Sequence, residues 1–473
     1  MATVIVERQE RKQEANTMTD LLVHDIQELV VGPAETTGAT GDSRLALDVR
    51  ESAALAIEDG VVVAVGDSGE VCREHPPENA DSTLDATGQV VTPGFVDPHT
   101  HALFAGDRSE EFVARIEGTT YTEIMDAGGG IPVTVESVRE ASDEELLANL
   151  HEQLDVMLAH GTTTAEVKSG YGLDVETELR MLDVIARADE SHPVDLVPTF
   201  MGAHVVPEGV ETDEYTAHVI EEQLPAVADQ GVATFCDVFC EDGVFDVDQS
   251  RRILTAGREH GLAPKIHAEE FSRIGGAQLA ARLDATSADH LLCANRQDID
   301  ALAEAGVTPV LLPATAFSLA EPYADAGRFL DSGTPVALGT DLNPSCFVHS
   351  MGLVVSLACL RMEMTPDEAI LGATHNAALA LGSGTNSHGP DGQSGAKTGA
   401  PAEGTGTLQE GTAADFVLFD LPDHVHIPYN AGTNRVETVV KDGSVVSARD
   451  GHHGHGHGRD SGTLAGSREG ANR

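Results

Sequence analysis

The chain has 473 residues, enough for one barrel-sized domain and a smaller companion, and 41% of them are apolar, so it can bury a substantial core. Its 78 acidic residues against 28 basic ones give a formal net charge of -50, a surface that repels nucleic acid and anionic lipid and excludes both as partners. The acidic residues are scattered through the chain and lysine is confined to Lys12, Lys168, Lys265, Lys397 and Lys441, which fits a folded, halophilic protein whose self-repulsion is screened by high salt.

Residues 1–18, MATVIVERQERKQEANTM, are too charged for a signal peptide's apolar region and read as a disordered leader. Residues 19–92 hold short β-rich pieces, LLVHDIQELVV, ALAIEDGVVVAVG and GQVVTPG, separated by Gly, Asp and Thr turns. The same texture returns within 408–448, in ADFVLFDLP and RVETVVKDGSVVSA, so both chain ends are expected to join in one small β-sandwich. Between them, 93–381 alternates apolar strands with amphipathic helical runs such as ELLANLHEQLDVMLAHG and QSRRILTAGREHG. The candidate strands are 94–101, 162–170, 194–204, 233–241, 263–270, 287–292, 308–315 and 335–343. Eight strand-helix units define an α/β chain of the TIM (β/α)8 barrel type, with its chemistry at the C-terminal ends of the strands.

Residues 382–407 form a Gly/Ser/Thr-rich insertion expected to be flexible and solvent-facing, and 449–473 a disordered His/Gly-rich tail whose histidines are kept out of the site. The six cysteines include no CxxC pair, which points to reduced thiols in a cytoplasmic protein. No run approaches the roughly 18 apolar residues of a membrane helix.

Polar residues cluster at the predicted strand ends. His99 and His101 end the first strand, where period-two alternation turns both to one side and Thr100 to the other. His204 ends the third, His267 and Glu270 the fifth, His290 the sixth and Asp341 the eighth. His99, His101, His267 and Asp341 supply three imidazoles and a carboxylate, the donor set of a catalytic metal that keeps a position for water and lowers the pKa of that water to roughly 7. Glu270, three residues beyond His267 in HAEE, is a candidate base, with Glu269 turned away. His290 is a candidate for orienting the attacking water or polarising the carbonyl under attack.

HTH followed by FAGDR, then EVKSGYGLD, MGAHVVP, KIHAEEF, SADHLL, LGTDLNP and ATHNAALALG, in that order and spacing, resembles the imidazolonepropionases, amidohydrolase-superfamily enzymes of histidine degradation. The resemblance covers about residues 20–448 apart from the insertion. KSGYG and GAHVVP single out this family, whereas the paired histidines, the later histidine and the aspartate belong to the superfamily at large. The resemblance implies a homodimer acting on a small molecule, 4-imidazolone-5-propanoate, whose ring amide is hydrolysed to N-formimino-L-glutamate by metal-activated water. It assigns one Zn(2+) or Fe(3+) ion to His99, His101, His267 and Asp341, and substrate contacts to Arg108, Tyr171, His204, Glu270 and Asn343. His290 would then steady the developing oxyanion, with Glu270 and Asp341 relaying the proton. Arg108 suits its part, since a guanidinium offers a two-pronged fork to a propionate carboxylate.

The chain departs from the family in DLNPSCF, where Ser345 stands at a glycine position and Cys346 at a small hydroxyl position; both remain candidate substrate contacts. Cys346 is not read as a nucleophile, because no His-Cys pairing is evident. Superfamily members with two metals bridge them through a carboxylated lysine on the fourth strand. Lys168 lies on the second and the fourth carries none, so one ion is expected. Two rival readings are another cyclic amidohydrolase or nucleobase deaminase on the same scaffold, which needs no Arg108, and a scaffold turned interaction protein, which would tend to lose the four metal positions present here.

Overall fold

The computed structural model describes residues 19–34, 46–119, 123–124, 128–383, 401 and 404–449. The expected leader 1–18, most of the insertion 382–407 and all but Arg449 of the tail lie outside the described residues.

The first half of the chain-end unit comprises β1 (Leu21–Pro33), β2 (Leu47–Glu58), β3 (Val61–Asp67), β4 (Ser82–Asp85) and β5 (Val90–Pro93). The barrel strands follow as β6 (Phe95–Asp97), β7 (Thr162–Lys168), β8 (Asp195–Ala203), β9 (Phe235–Cys240), β10 (Ala263–Ala268), β11 (Ser287–His290), β12 (Thr308–Leu311) and β13 (Ala337–Leu338). Strands β14 (Phe416–Phe419), β15 (Val436–Lys441) and β16 (Ser444–Ala448) return to the first unit.

Strands β6 to β13 are hydrogen-bonded in chain order, all in parallel. The ring closes where Thr100 bridges Leu342, with the His101 amide donating to the Leu342 carbonyl at 2.9 Å and the Asp341 amide to the His99 carbonyl at 3.0 Å. Helices outside and packed side chains inside a parallel barrel demand strands buried on both faces, and β7 and β9 are buried along their whole length. The outer helices show why the sequence winds there. Asp143–Ala159 starts at Ser142, whose hydroxyl accepts from the Glu145 amide while the Glu145 carboxylate accepts from the Ser142 amide. Such a cap is worth about 1 kcal/mol. Leu146, Leu150, Leu154 and Met157 recur at helical spacing and are buried against the barrel, so Leu150→Ala would cost roughly 2–5 kcal/mol.

All eight barrel strands are shorter than expected, and the first, seventh and eighth lose half their length or more; the seventh ends at Leu311 because Pro313 opens the helix Pro313–Leu319. The first ends at Asp97 and the eighth at Leu338, so His99, His101 and Asp341 lie just past the ladder. The cause is Asp97, fully buried, which accepts from the Thr340 amide at 3.1 Å and the Thr340 hydroxyl at 2.5 Å. Side-chain bonds stand in for ladder bonds at Thr340, and backbone pairing of the two segments resumes only at the Thr100–Leu342 bridge, at the mouth.

The two chain ends join as expected. Their strands form one continuous sheet in the order β16-β15-β14-β5-β1-β2-β3, with β4 added on β1. It has its own core, in which Leu21, Val23 and Ile26 of β1 meet Leu55 of β2 and Phe416 of β14. Ion pairs tie it to the barrel: Lys441 Nζ lies 3.0 Å from Asp195 on β8, and His424 lies between Glu28 of β1 and Asp367 of a barrel helix, at 2.7 and 3.0 Å.

Candidate active site

Four side chains converge inside the mouth of the barrel. The Nε2 atoms of His101 and His267 face each other at 3.3 Å, and Asp341 Oδ1 stands 3.6 Å from His99 Nε2 and 3.7 Å from His101 Nε2. All four residues are buried. His99, His101 and His267 present nitrogens close enough to share one ion, and so do the two imidazole nitrogens of His99 and His290 with a carboxylate oxygen of Asp341.

The outer nitrogens are anchored from below. His99 Nδ1 lies 2.6 Å from Asp289 Oδ2, and His267 Nδ1 lies 3.2 Å from Asp237 Oδ1. A carboxylate at Nδ1 fixes the proton there and leaves Nε2 with its lone pair turned inward. The inward Nε2 lone pair of His267 faces His101 Nε2 at 3.3 Å, and the buried His99 Nε2 and His101 Nδ1 lack any hydrogen-bond partner; together they form a donor set that fits a cation. Burial holds the protonation of His99 and His101 well below the usual imidazole range, with further opposition from Lys168 and His204 respectively. Both are therefore neutral, the form a metal takes.

Beneath lies a layer of charge. Lys168 Nζ sits 2.7 Å from Asp237 and 2.8 Å from Glu166, while Lys265 Nζ bonds Glu166 at 2.8 Å and the Pro98 carbonyl at 2.9 Å. All of these side chains are fully buried. Despite its burial, Asp237 stays ionised well below the carboxylate range because His267 and Lys168 hold its charge. The sequence reading missed this layer except for testing Lys168 as a bridging ligand. Its signal was present in charged residues inside apolar strands, as in TTTAEVK, FCDVFC and SADH, which a barrel interior must pair.

The remaining expected residues divide into groups. His290, at the end of β11, packs its ring 5.3 Å from that of His99 and 5.1 Å from that of His267, and its Nδ1 lies 3.5 Å from Glu270. Its φ of +75° puts a non-glycine in the left-handed region, a strain that recurs at functional sites. Burial pushes the Glu270 carboxyl well up, and nearby Asp341 adds to the effect. Glu269 is turned away and accepts from the Gly275 and Ala277 amides at 3.0 and 3.1 Å.

His204 stacks on His101 with ring centres 4.9 Å apart, and Tyr171 lies 5.3 Å from His204 and 6.0 Å from His101. Burial pushes His204 down to about 3, and His267 adds to this. Arg108, buried at the head of the helix Ser109–Ile116, donates from Nε to Glu111 at 3.1 Å and from Nη2 to the Ser345 hydroxyl. The departure from the family motif therefore touches the arginine. Asn343 donates to Asp341 Oδ1 at 3.1 Å and accepts from the Ser345 and Cys346 amides at 2.8 and 3.2 Å. The Cys346 thiol is directed elsewhere, toward the Thr340 carbonyl at 3.6 Å and the Ser318 hydroxyl at 3.5 Å. Burial pushes that thiol up to about 12, so it is no nucleophile.

Comparison with known proteins gives these residues a context. A family model described as "Amidohydrolase family" matches residues 82–234. The imidazolonepropionase of Halobacterium salinarum is 60% identical over 432 residues, which covers 90% of this chain and 98% of that protein. Its counterpart in Haloarcula marismortui is 58% identical over 91% of this chain and 97% of its own length. That of Geobacillus kaustophilus is 48% identical over 85% and 91%. Among solved structures, a zinc-bound adenosine deaminase from Xanthomonas campestris superposes with a TM-score of 0.66 at 19% identity, covering 90% of this chain and 92% of that one. The guanine deaminase of E. coli gives 0.64 at 15% over 91% and 99%. At such identities these two share the fold alone.

Proposed function

This chain belongs to the imidazolonepropionases, metal-dependent amidohydrolases that open the ring amide of 4-imidazolone-5-propanoate to N-formimino-L-glutamate in histidine degradation, and we propose that His99, His101, His267 and Asp341 hold its single metal ion, Zn(2+) or Fe(3+). The observation that carries this assignment is the pair of inward Nε2 atoms 3.3 Å apart, with carboxylates behind His99 and His267. When bound, the ion supplies Lewis acidity toward the ring carbonyl and toward water.

The chain's own residues do the rest. Arg108 grips the propionate carboxylate, its Nη2 already paired with a neutral hydroxyl that an anion can displace. Tyr171 and His204 flank the imidazolone ring. His204 Nδ1 bonds the Gly170 carbonyl at 3.1 Å, which leaves Nε2 as an acceptor for a ring N–H. His290 donates to the oxyanion that develops at the ring carbonyl. Glu270, whose proton affinity is lifted by burial, takes the proton of the attacking water and delivers it to the departing ring nitrogen. Asp341, held by the Thr315 hydroxyl at 2.6 Å and by Asn343, is the second carboxylate on that path. Asn343 with Ser345 and Cys346 shapes the wall beside Arg108. We place the enzyme in the cytoplasm as a homodimer, on the family resemblance; no helix among the described residues is long and apolar enough to cross a membrane.

The test is a coupled assay in molar potassium chloride, with imidazolonepropionate generated from urocanate by urocanase. Formiminoglutamate must appear with the unaltered chain and vanish with Glu270→Gln. Product formed at an undiminished rate by Glu270→Gln would remove Glu270 from the proton path.

A further inference from the structure

The segment Ser169–Asp174, between β7 and the helix Val175–Ser191, carries Tyr171 and supplies the carbonyl that orients His204. It has no regular structure of its own and is nonetheless fully buried over most of its length. What organises it is one side chain. Glu178, in the first turn of that helix and fully buried, points back at the segment. Its Oε1 accepts from the Gly172 and Leu173 amides, both at 2.8 Å, and its Oε2 accepts from the Gly170 amide at 3.0 Å. The Ser169 hydroxyl donates to it as well, while accepting from the Met201 amide at 3.0 Å.

Every partner is a donor, the arrangement an ionised carboxylate requires. Successive amides turned onto one anion form a concave nest, here filled from within the chain. The backbone shows how tightly it is shaped. Gly170 has φ +104° and Leu173 φ +59°, and a Cβ on Gly172 would meet Glu178 Oε1 at 2.8 Å. Other contacts seat the outside: Arg139 donates to the Gly172 carbonyl at 2.7 Å, and the Tyr215 hydroxyl donates to the Leu173 carbonyl at 3.2 Å.

We propose that Glu178 is a positioning residue for substrate binding: by gathering the Gly170, Gly172 and Leu173 amides it sets the place of Tyr171 and, through the Gly170 carbonyl, of His204. It touches neither the metal donors nor the expected reacting atoms, so its influence falls on ring binding and not on the metal. The proposal rests on the substrate roles given above to Tyr171 and His204.

The test compares Glu178→Gln, Glu178→Asp and Tyr171→Ala with the unaltered enzyme in high salt, reading KM, kcat and metal content. Glu178→Gln places an NH2 against backbone N–H groups, and Glu178→Asp draws the carboxylate back by one methylene. Each should raise KM about tenfold or more with kcat within about threefold and metal content unchanged. A Tyr171→Ala that raises KM beside Glu178 variants that do not would overturn the positioning role alone. A KM unmoved by Tyr171→Ala would overturn the substrate role of the segment, and the proposal with it. Joint loss of kcat and metal would place Glu178 in the support of the metal site, against the proposal. Amide exchange of the unaltered protein adds a reading independent of any variant's folding. The Gly170, Gly172 and Leu173 amides must exchange slowly, and free exchange at these three would overturn the nest.

Discussion

Asp289 Oδ2 lies 2.6 Å from His99 Nδ1, while the next residue, His290, packs its ring 5.3 Å from that of the same histidine. One dipeptide at the end of β11 thus meets the same proposed metal ligand twice: the aspartate fixes the proton on its Nδ1, and the histidine packs ring against ring beside it. His290 holds this place with a φ of +75°, in the left-handed region that a non-glycine seldom enters.

Asp289→Asn keeps the shape and removes the charge behind His99. Metal affinity should fall about 10–100-fold, read by competition against a chromophoric chelator. Unchanged affinity would mean that Asp289 serves only the buried charge layer.

Lys168→Met leaves Glu166 and Asp237, both fully buried, without the ammonium they share. Removing one partner of a buried pair costs about 3–5 kcal/mol. Denaturant unfolding in high salt should show that loss, and a change under about 1 kcal/mol would contradict the weight given to this layer.

Arg108→Gln keeps a donor toward Ser345 and loses the charged fork. The loss of charge-assisted bonds to the propionate should cost about 3 kcal/mol in kcat/KM, on the order of a hundredfold, carried mainly by KM. Equal KM values for the two proteins would favour a neutral substrate and the deaminase reading.

His424 bonds Asp367 and Glu28, and these partners raise its pKa above the usual imidazole value against a contrary push from burial. A group whose folded pKa is raised contributes stability that is fully present below its unfolded pKa and is lost as pH rises through the folded value. The Tm difference between the unaltered chain and His424→Gln should therefore be largest at about pH 5.5 and shrink toward about pH 8.5. A difference that grows with pH would contradict the ion-paired state of this contact between sheet and barrel.

Much of this was legible in the sequence because barrel chemistry gathers at strand ends, where a histidine or aspartate stands out against apolar neighbours. His99, His101, His267, Asp341 and His290 were visible for that reason, and the two sets of short β-pieces showed that the chain ends belong together. Strand lengths were less legible: Asp97 takes its bonds from Thr340, a residue 243 positions away, and no local pattern reports such a partner. The buried layer of Lys168, Glu166, Asp237 and Lys265 was hidden for the same reason, since each is unremarkable until folding pairs it. Glu178 lay in plain sight on an amphipathic helix, where a carboxylate normally means solvent. Ser345 read as a departure from a motif, and only folding brings its hydroxyl to Arg108.

On the proposed ligand set, three histidines and one aspartate hold a single ion on which hydrolysis depends. The most direct measurement is elemental analysis of the chain purified in high salt, paired with product formation in the same samples, for the unaltered protein and for His267→Ala. The expected result is one zinc or iron ion per chain with formiminoglutamate formed, and loss of both in a His267→Ala protein that keeps its far-UV circular dichroism. Full metal content and turnover in His267→Ala, or turnover by a metal-free unaltered chain, would contradict it.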